Sequence, residues 1–208
     1  MYRVLVVNGS PHLTGCTDRA LKEVIATLNQ EGIETDYICI GNKDIRGCIA
    51  CGTCSKKGQC VFDDEVNKAA ELFEKADGLI IGSPVYYGSP NATAIAFMDR
   101  LFYSTGFSKQ MKVGAAVVSA RRGGNTASFD VLNKYFTISG MPVVSSTYWN
   151  QVHGFTAEDV EKDKEGLQVM RNLGRNMAFL IRAIRAEKDK EGLPEVERQY
   201  STHFHQGK

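Results

Sequence analysis

Apolar and polar positions alternate along the chain in two rhythms. Tyr2 to Val7 is an almost unbroken apolar run, too continuous for a strand with one wet face. Asp18 to Gln30 then sets Ala20, Leu21, Val24, Ile25 and Leu28 at helical spacing, and Gly32 breaks that helix. Thr35 to Ile40 reads as a second strand, whereas Gly41 to Val61 follows neither period and forms a Gly- and Cys-rich insertion. Asp63 or Asp64 can cap the next helix, whose apolar face is Val66, Ala69, Ala70, Leu72 and Phe73. A third strand covers Gly78 to Gly82 and ends at Ser83-Pro84. A third helix covers Asn91 to Leu101, with Asp99-Arg100 expected as a surface pair at its close. Lys112 to Ser119 gives a fourth strand, and Gly123-Gly124 turns into a helix over Ser128 to Ile138. Met141 to Tyr148 gives a fifth strand, and Ala157 to Lys188 a long last helix with a break expected near Gly166.

Strands that are apolar throughout and each followed by a helix imply a parallel sheet covered on both sides, a doubly wound three-layer α/β domain. It is expected over residues 1–188, with 41–61 as the insertion. The polar tail 189–208 reads either as a solvated extension or as an arm embracing a second subunit. The 208 residues, 43% apolar, suit one such core. Twenty-five Lys and Arg against 24 Asp and Glu leave no bulk attraction for nucleic acid or an anionic membrane. The apolar runs fall short of the roughly 18 residues of a membrane helix. The first run, stopped at Asn8, is also too short for a secretory signal core, so a cytoplasmic protein is expected.

Ligands of such sheets sit outside the carboxyl ends of the strands, at the switch point of the strand order. The loop after the first strand, Asn8-Gly9-Ser10-Pro11-His12-Leu13-Thr14-Gly15-Cys16-Thr17, is rich in hydroxyls and opens into a helix. Its free amides and the positive helix end favour a phosphate, with Ser10, Thr14 and Thr17 as further donors. It lacks both the G-x-G-x-x-G spacing of a dinucleotide site and the Gly-Lys of a Walker loop, so a mononucleotide fits better; an ordinary turn capped by Thr17 is the plainer alternative. The loop after the third strand, Ser83 to Ala92, presents Tyr86 and Tyr87 between two prolines, a surface suited to a flat aromatic ring. The loop after the fourth, Ser119-Ala120-Arg121-Arg122-Gly123-Gly124-Asn125, sets backbone donors beside two positive charges.

Together, G-S-P-x-x-x-G-x-T, S-P-V-Y-Y-G-S-P-N-A and the Arg-Arg-Gly-Gly turn resemble the NADPH-dependent FMN reductase family of flavodoxin-like proteins, from about Tyr2 to the last helix. The resemblance implies a five-stranded parallel sheet of order 2-1-3-4-5, bound FMN and NAD(P)H as co-substrate. It implies that Ser10, His12, Thr14, Gly15, Cys16 and Thr17 hold the FMN phosphate and that Pro84, Val85, Tyr86, Tyr87 and Gly88 contact the isoalloxazine. Ser119, Ala120, Arg121, Arg122, Gly123 and Gly124 would lie along the ring's polar edge. His12 and Cys16 depart from the family pattern, which often has a basic residue and Asn there. No side chain is required as acid or nucleophile, because the flavin carries the chemistry.

Four of the six cysteines, Cys48, Cys51, Cys54 and Cys60, share a C-x2-C-x2-C-x5-C spacing, which suits one thiolate-bound cluster better than zinc. With no export signal, structural disulfides are not expected, and Cys39 reads as core filler. The insertion resembles that of iron-sulfur flavoproteins, which carry a 4Fe-4S cluster beside FMN, usually in a dimer or tetramer. Free or oxidised thiols in a plain reductase remain the alternative. Trp149 to Gly154 reads as a packed Trp with a surface His, or as a border of a substrate pocket; His203 and His205 lie in the polar tail. The function expected is an NAD(P)H-dependent FMN or quinone-type reductase passing electrons to a small-molecule acceptor, as a homodimer or homotetramer. The alternative is an electron carrier reduced by a ferredoxin-like partner.

Overall fold

The computed structural model describes residues 1–197 and Tyr200. Residues 198, 199 and 201–208, and with them His203 and His205, lie outside the described residues. Five parallel positions make the sheet: β1 (Tyr2–Asn8), β2 (Ile33–Cys39), β3 (Gly78–Tyr86), β5 (Val113–Ala120) and β6 (Gln151–His153), in the order β2-β1-β3-β5-β6. That is the order expected. A two-residue strand, β4 (Ser89–Pro90), folds back on the end of β3.

The continuous apolar runs have a simple cause. Successive side chains of a strand point to opposite faces, and here both faces are dry. Val4, Val6, Val113, Ala115 and Val117 pack under α1 (Cys16–Gln30) and α7 (Lys164–Glu191). Leu5, Val7, Leu79, Ile81, Ala116 and Val118 pack under α3 (Glu65–Lys75), α4 (Ala92–Ser104) and α5 (Asn125–Ile138). Asp64 caps α3 by accepting from the Val66 amide. The insertion carries one short helix, α2 (Thr53–Lys57), between the left-handed Gly52 and Gly58.

Several expectations need correction. The fifth strand does not run from Met141 to Tyr148: Val143 makes an isolated bridge to Gly114, the chain then leaves the sheet, and β6 resumes opposite Val118 to Ala120. The polar run Ser145-Ser146-Thr147 cannot fill a buried strand and sits outside, where the Ser146 hydroxyl accepts from the Tyr148 amide. The break expected near Gly166 is present, at residues 161–163 between α6 (Ala157–Val160) and α7, because Asp163 caps α7 by accepting from the Gly166 amide at 2.9 Å. Helix α7 runs on to Glu191, past the expected start of the tail. Arg100 and Cys39 also differ: Arg100 is buried inside a helix that continues to Ser104, while Cys39 is only half-buried.

Asp163 also accepts the His153 amide at 2.7 Å and so ties β6 to α7. Replacing Asp163 by Ala is expected to cost about 1–2 kcal/mol, a lost cap plus a lost partner for a strand amide, read as a lower midpoint in urea unfolding. Among the described residues no helix is long and apolar enough to cross a membrane.

Candidate functional site

At the carboxyl ends of β1, β3 and β5 the structure brings three loops around one cleft of about 540 Å³. Ser10, His12, Thr14, Gly15, Cys16 and Thr17 line one side; Pro84, Val85 and Tyr86 another; Ser119, Ala120 and Arg121 a third. Of the expected site residues, Tyr87, Gly88, Arg122, Gly123 and Gly124 fall outside this lining. Tyr87 and Gly88 form the tip of the β3-β4 hairpin, with φ of 51° and 78°. Positive φ at both centres is the geometry of a tight type I′ turn, and it leaves the Tyr87 ring fully in solvent. Gly124 packs against that hairpin so closely that an added Cβ would lie 2.8 Å from the Gly88 Cα.

The first loop is held open by its own chemistry. The Asn8 side chain accepts from the Ser10 amide at 2.9 Å, and the Ser10 hydroxyl accepts from the His12 amide at 3.1 Å. No side chain caps Gly15, and the first backbone bond of α1 is Arg19 N–H to the Gly15 carbonyl. The first-turn amides of Cys16, Thr17 and Asp18 are therefore left for another acceptor at the positive end of a 15-residue helix. Thr17 Oγ1 lies 2.8 Å from Ser119 Oγ and joins the first loop to the third. Asn91 joins the first to the second: its amide nitrogen donates to the Gly9 carbonyl at 2.6 Å, while its oxygen caps α4. Tyr37 donates to Asp18 at 2.6 Å, and burial, followed by that bond, pushes the phenol above its usual pKa. Amides, hydroxyls and an apolar wall at Pro84 and Val85 suit a phosphate joined to a flat ring.

Gly154 to Glu158 closes the cleft on its fourth side; the pocket border offered as an alternative for Trp149 to Gly154 holds at Gly154, while Phe155 to Glu158 were not expected there. The Cys16 thiol contacts the Gly154 and Thr156 carbonyls at 3.3 and 3.2 Å, and burial pushes this thiol up. A usable signal was present: Thr156 and Asp159 form a capping box that starts α6 at the ligand end of the sheet. Trp149 is half-exposed and packs edge-on against Tyr148, outside the core.

A second cavity, about 500 Å³, lies between the insertion and α4. Cys48, Cys51, Cys54 and Cys60 all line it, with Phe62, Arg100, Tyr103 and Ser104. Every cysteine is a free thiol, and among the described residues the four sulfurs are not gathered into a metal-binding group. Thr53 bonds the Cys51 sulfur and holds that thiol below its usual pKa. The donor set is soft, the cavity is mainly apolar, and the Ser104 hydroxyl oxygen beside it is buried without a partner. These residues fit a thiolate-bound cluster in kind: four cysteines line one cavity.

A parallel sheet of this order, with an anion cradle at its switch point, defines the flavodoxin-like class. Within that class, the model of NADPH-dependent FMN reductases matches residues 2–156, and the chain belongs to that family. It is an FMN-binding oxidoreductase. It is 33% identical over 191 residues to an iron-sulfur flavoprotein of Methanocaldococcus jannaschii, covering 88% of this chain and 99% of the relative. An iron-sulfur flavoprotein of Methanosarcina thermophila is 29% identical over 192 residues, covering 90% and 100%. Among solved structures, RosB with a bound 8-demethyl-8-formylriboflavin-5'-phosphate intermediate superposes with a TM-score of 0.71 at 14% identity, covering 97% of this chain and 93% of that one. It shares the fold.

Proposed function

We propose that the cleft holds FMN with its phosphate on Ser10, His12, Thr14, Gly15, Cys16 and Thr17, and that the chain oxidises NAD(P)H and reduces a second acceptor. The observation that carries this reading is the uncapped start of α1, whose free amides share one cleft with Pro84 to Tyr86 and Ser119 to Arg121. Bound FMN supplies the hydride and electron chemistry. The protein's part is to orient the ring against Val85 and Tyr86 and to set Arg121 and the third-loop amides at its polar edge. Gly88 and Gly124 act from behind, where their close packing fixes the hairpin against the third loop. Anaerobic mixing with NADPH or NADH is the test: bleaching of the flavin within seconds is expected, and a flavin unmoved by either nucleotide rejects the reading.

A second reading has its own support in the four cysteines around one cavity and in the names of the relatives. In it Cys48, Cys51, Cys54 and Cys60 hold a 4Fe-4S cluster that exchanges electrons with a ferredoxin-like partner. Anaerobically purified protein is then expected to contain iron and sulfide. Cys51→Ser should lose the iron and the broad violet absorption while keeping FMN; wild-type protein with FMN and no iron leaves the plain reductase. Tyr87, fully exposed at the hairpin tip, and Phe155, 79% exposed beside the cleft, support a homodimer or homotetramer that covers the flavin. A flavin-loaded monomer in sedimentation at micromolar concentration contradicts that assembly.

A further inference from the structure

Behind the cysteine loop stands an arginine that the sequence places on the surface and the structure buries. The Arg100 side chain is 1% exposed. Its Nε donates to Cys60 Sγ at 3.2 Å; Nη1 donates to Asp64 Oδ2 at 2.6 Å and the Arg46 carbonyl at 3.3 Å; Nη2 donates to Asp64 Oδ1 at 2.9 Å and the Phe62 carbonyl at 3.5 Å. The guanidinium carbon also lies 5.0 Å from the centre of the Phe62 ring. A buried charge is a poor source of net stability, since apolar residues of similar volume often serve as well or better. Asp64 does not require the pairing either, because its side chain is 22% exposed to water. Four residues on, Ser104 lines the same cavity with an unpartnered hydroxyl. Thus α4 sets one fixed cation beside the sulfur-lined space, with the Ser104 hydroxyl buried in the same helix face.

We infer that Arg100 is a positioning residue for Cys60, and that its N–H donor and charge raise the reduction potential of the iron-sulfur cluster held by the four cysteines, with Asp64 as the opposing charge. The inference rests on the cluster reading above. Reduction adds negative charge to a cluster and its thiolates, so a donor and a cation at a ligand sulfur favour the reduced state, and the Asp64 carboxylate favours the oxidised one.

The two partners can therefore be separated by sign. Potentials are measured on anaerobically purified full-length protein by redox titration with paramagnetic resonance detection, beside an iron count. Arg100→Met is expected to lower the cluster potential by the equivalent of at least about tenfold in the reduction equilibrium, ~59 mV for one electron. Asp64→Asn is expected to raise it, and Asn retains an oxygen to cap the Val66 amide. A purely structural role would cost iron or stability in both variants without moving the potential in opposite directions. Should Arg100→Met fail to fold, Asp64→Asn alone decides the sign. A wild-type potential in either iron-loaded variant, or two shifts of the same sign, overturns this inference and leaves the cluster reading intact. Wild-type protein without iron overturns both.

Discussion

Replacing Thr17 by Glu is expected to abolish FMN retention while α1 and the sheet stay folded. Thr17 is 1% exposed in the first turn of α1, with its hydroxyl against Ser119. A carboxylate at a helix N-terminus favours the helix itself, which offsets part of the cost of a larger side chain at this buried position, and its charge is set against the ligand. Near a protein surface two like charges about 4 Å apart repel by about 4 kcal/mol, roughly a thousandfold in affinity. Equilibrium dialysis against FMN, with circular dichroism as the control for folding, reads the effect. An affinity within threefold of wild type removes the first loop from the site.

Gly41→Ala is expected to cost the cradle and stability together. Ile40 extends the β2 ladder by donating to the Asn8 carbonyl, and Gly41 then crosses directly over Ser10. An added Cβ would lie 2.1 Å from the Ser10 carbonyl carbon and 2.3 Å from the Gly9 oxygen, all main-chain atoms with no rotamer to yield. Overpacking of this kind costs about 1–3 kcal/mol, and the atom displaced belongs to the phosphate loop. The midpoint of urea unfolding should fall and FMN affinity with it. A variant as stable as wild type that keeps its flavin would mean that the loop moves freely.

What could be read in advance follows from which physical signals are local. Val4 to Val7 and Val113 to Val118 declared themselves because both faces of those strands are buried, and the order of three loops gave the cleft. Arg100 shows the opposite case. It shares the buried face of α4 with Phe97, Leu101 and Ser104, so periodicity pointed inward; its charge argued for the surface, and the partners that reverse that argument, Asp64 and Cys60, lie 36 and 40 residues away. Trp149 to Gly154 pointed to a pocket border only as an alternative and Phe155 to Glu158 not at all, because their place depends on where the interrupted fifth strand re-enters the sheet. The sequence put both tyrosines of the hairpin on the ligand surface, whereas the paired positive φ values turn Tyr87 outward, away from the cleft that Tyr86 lines.

The two margins of the sheet bear on solubility at high concentration. Exposed strand margins template unwanted strand addition and aggregation. Here one margin, β2, carries Glu34 and Asp36, both drawn onto Arg3 of β1 at 2.7 and 3.2 Å, so charge guards it. The other is broken into a single bridge at Val143 and three residues of β6, with the chain looping out between them. Neither offers a long, flat, apolar ladder to a neighbouring molecule. Copies of the chain are thereby steered away from fusing edge to edge through their sheets.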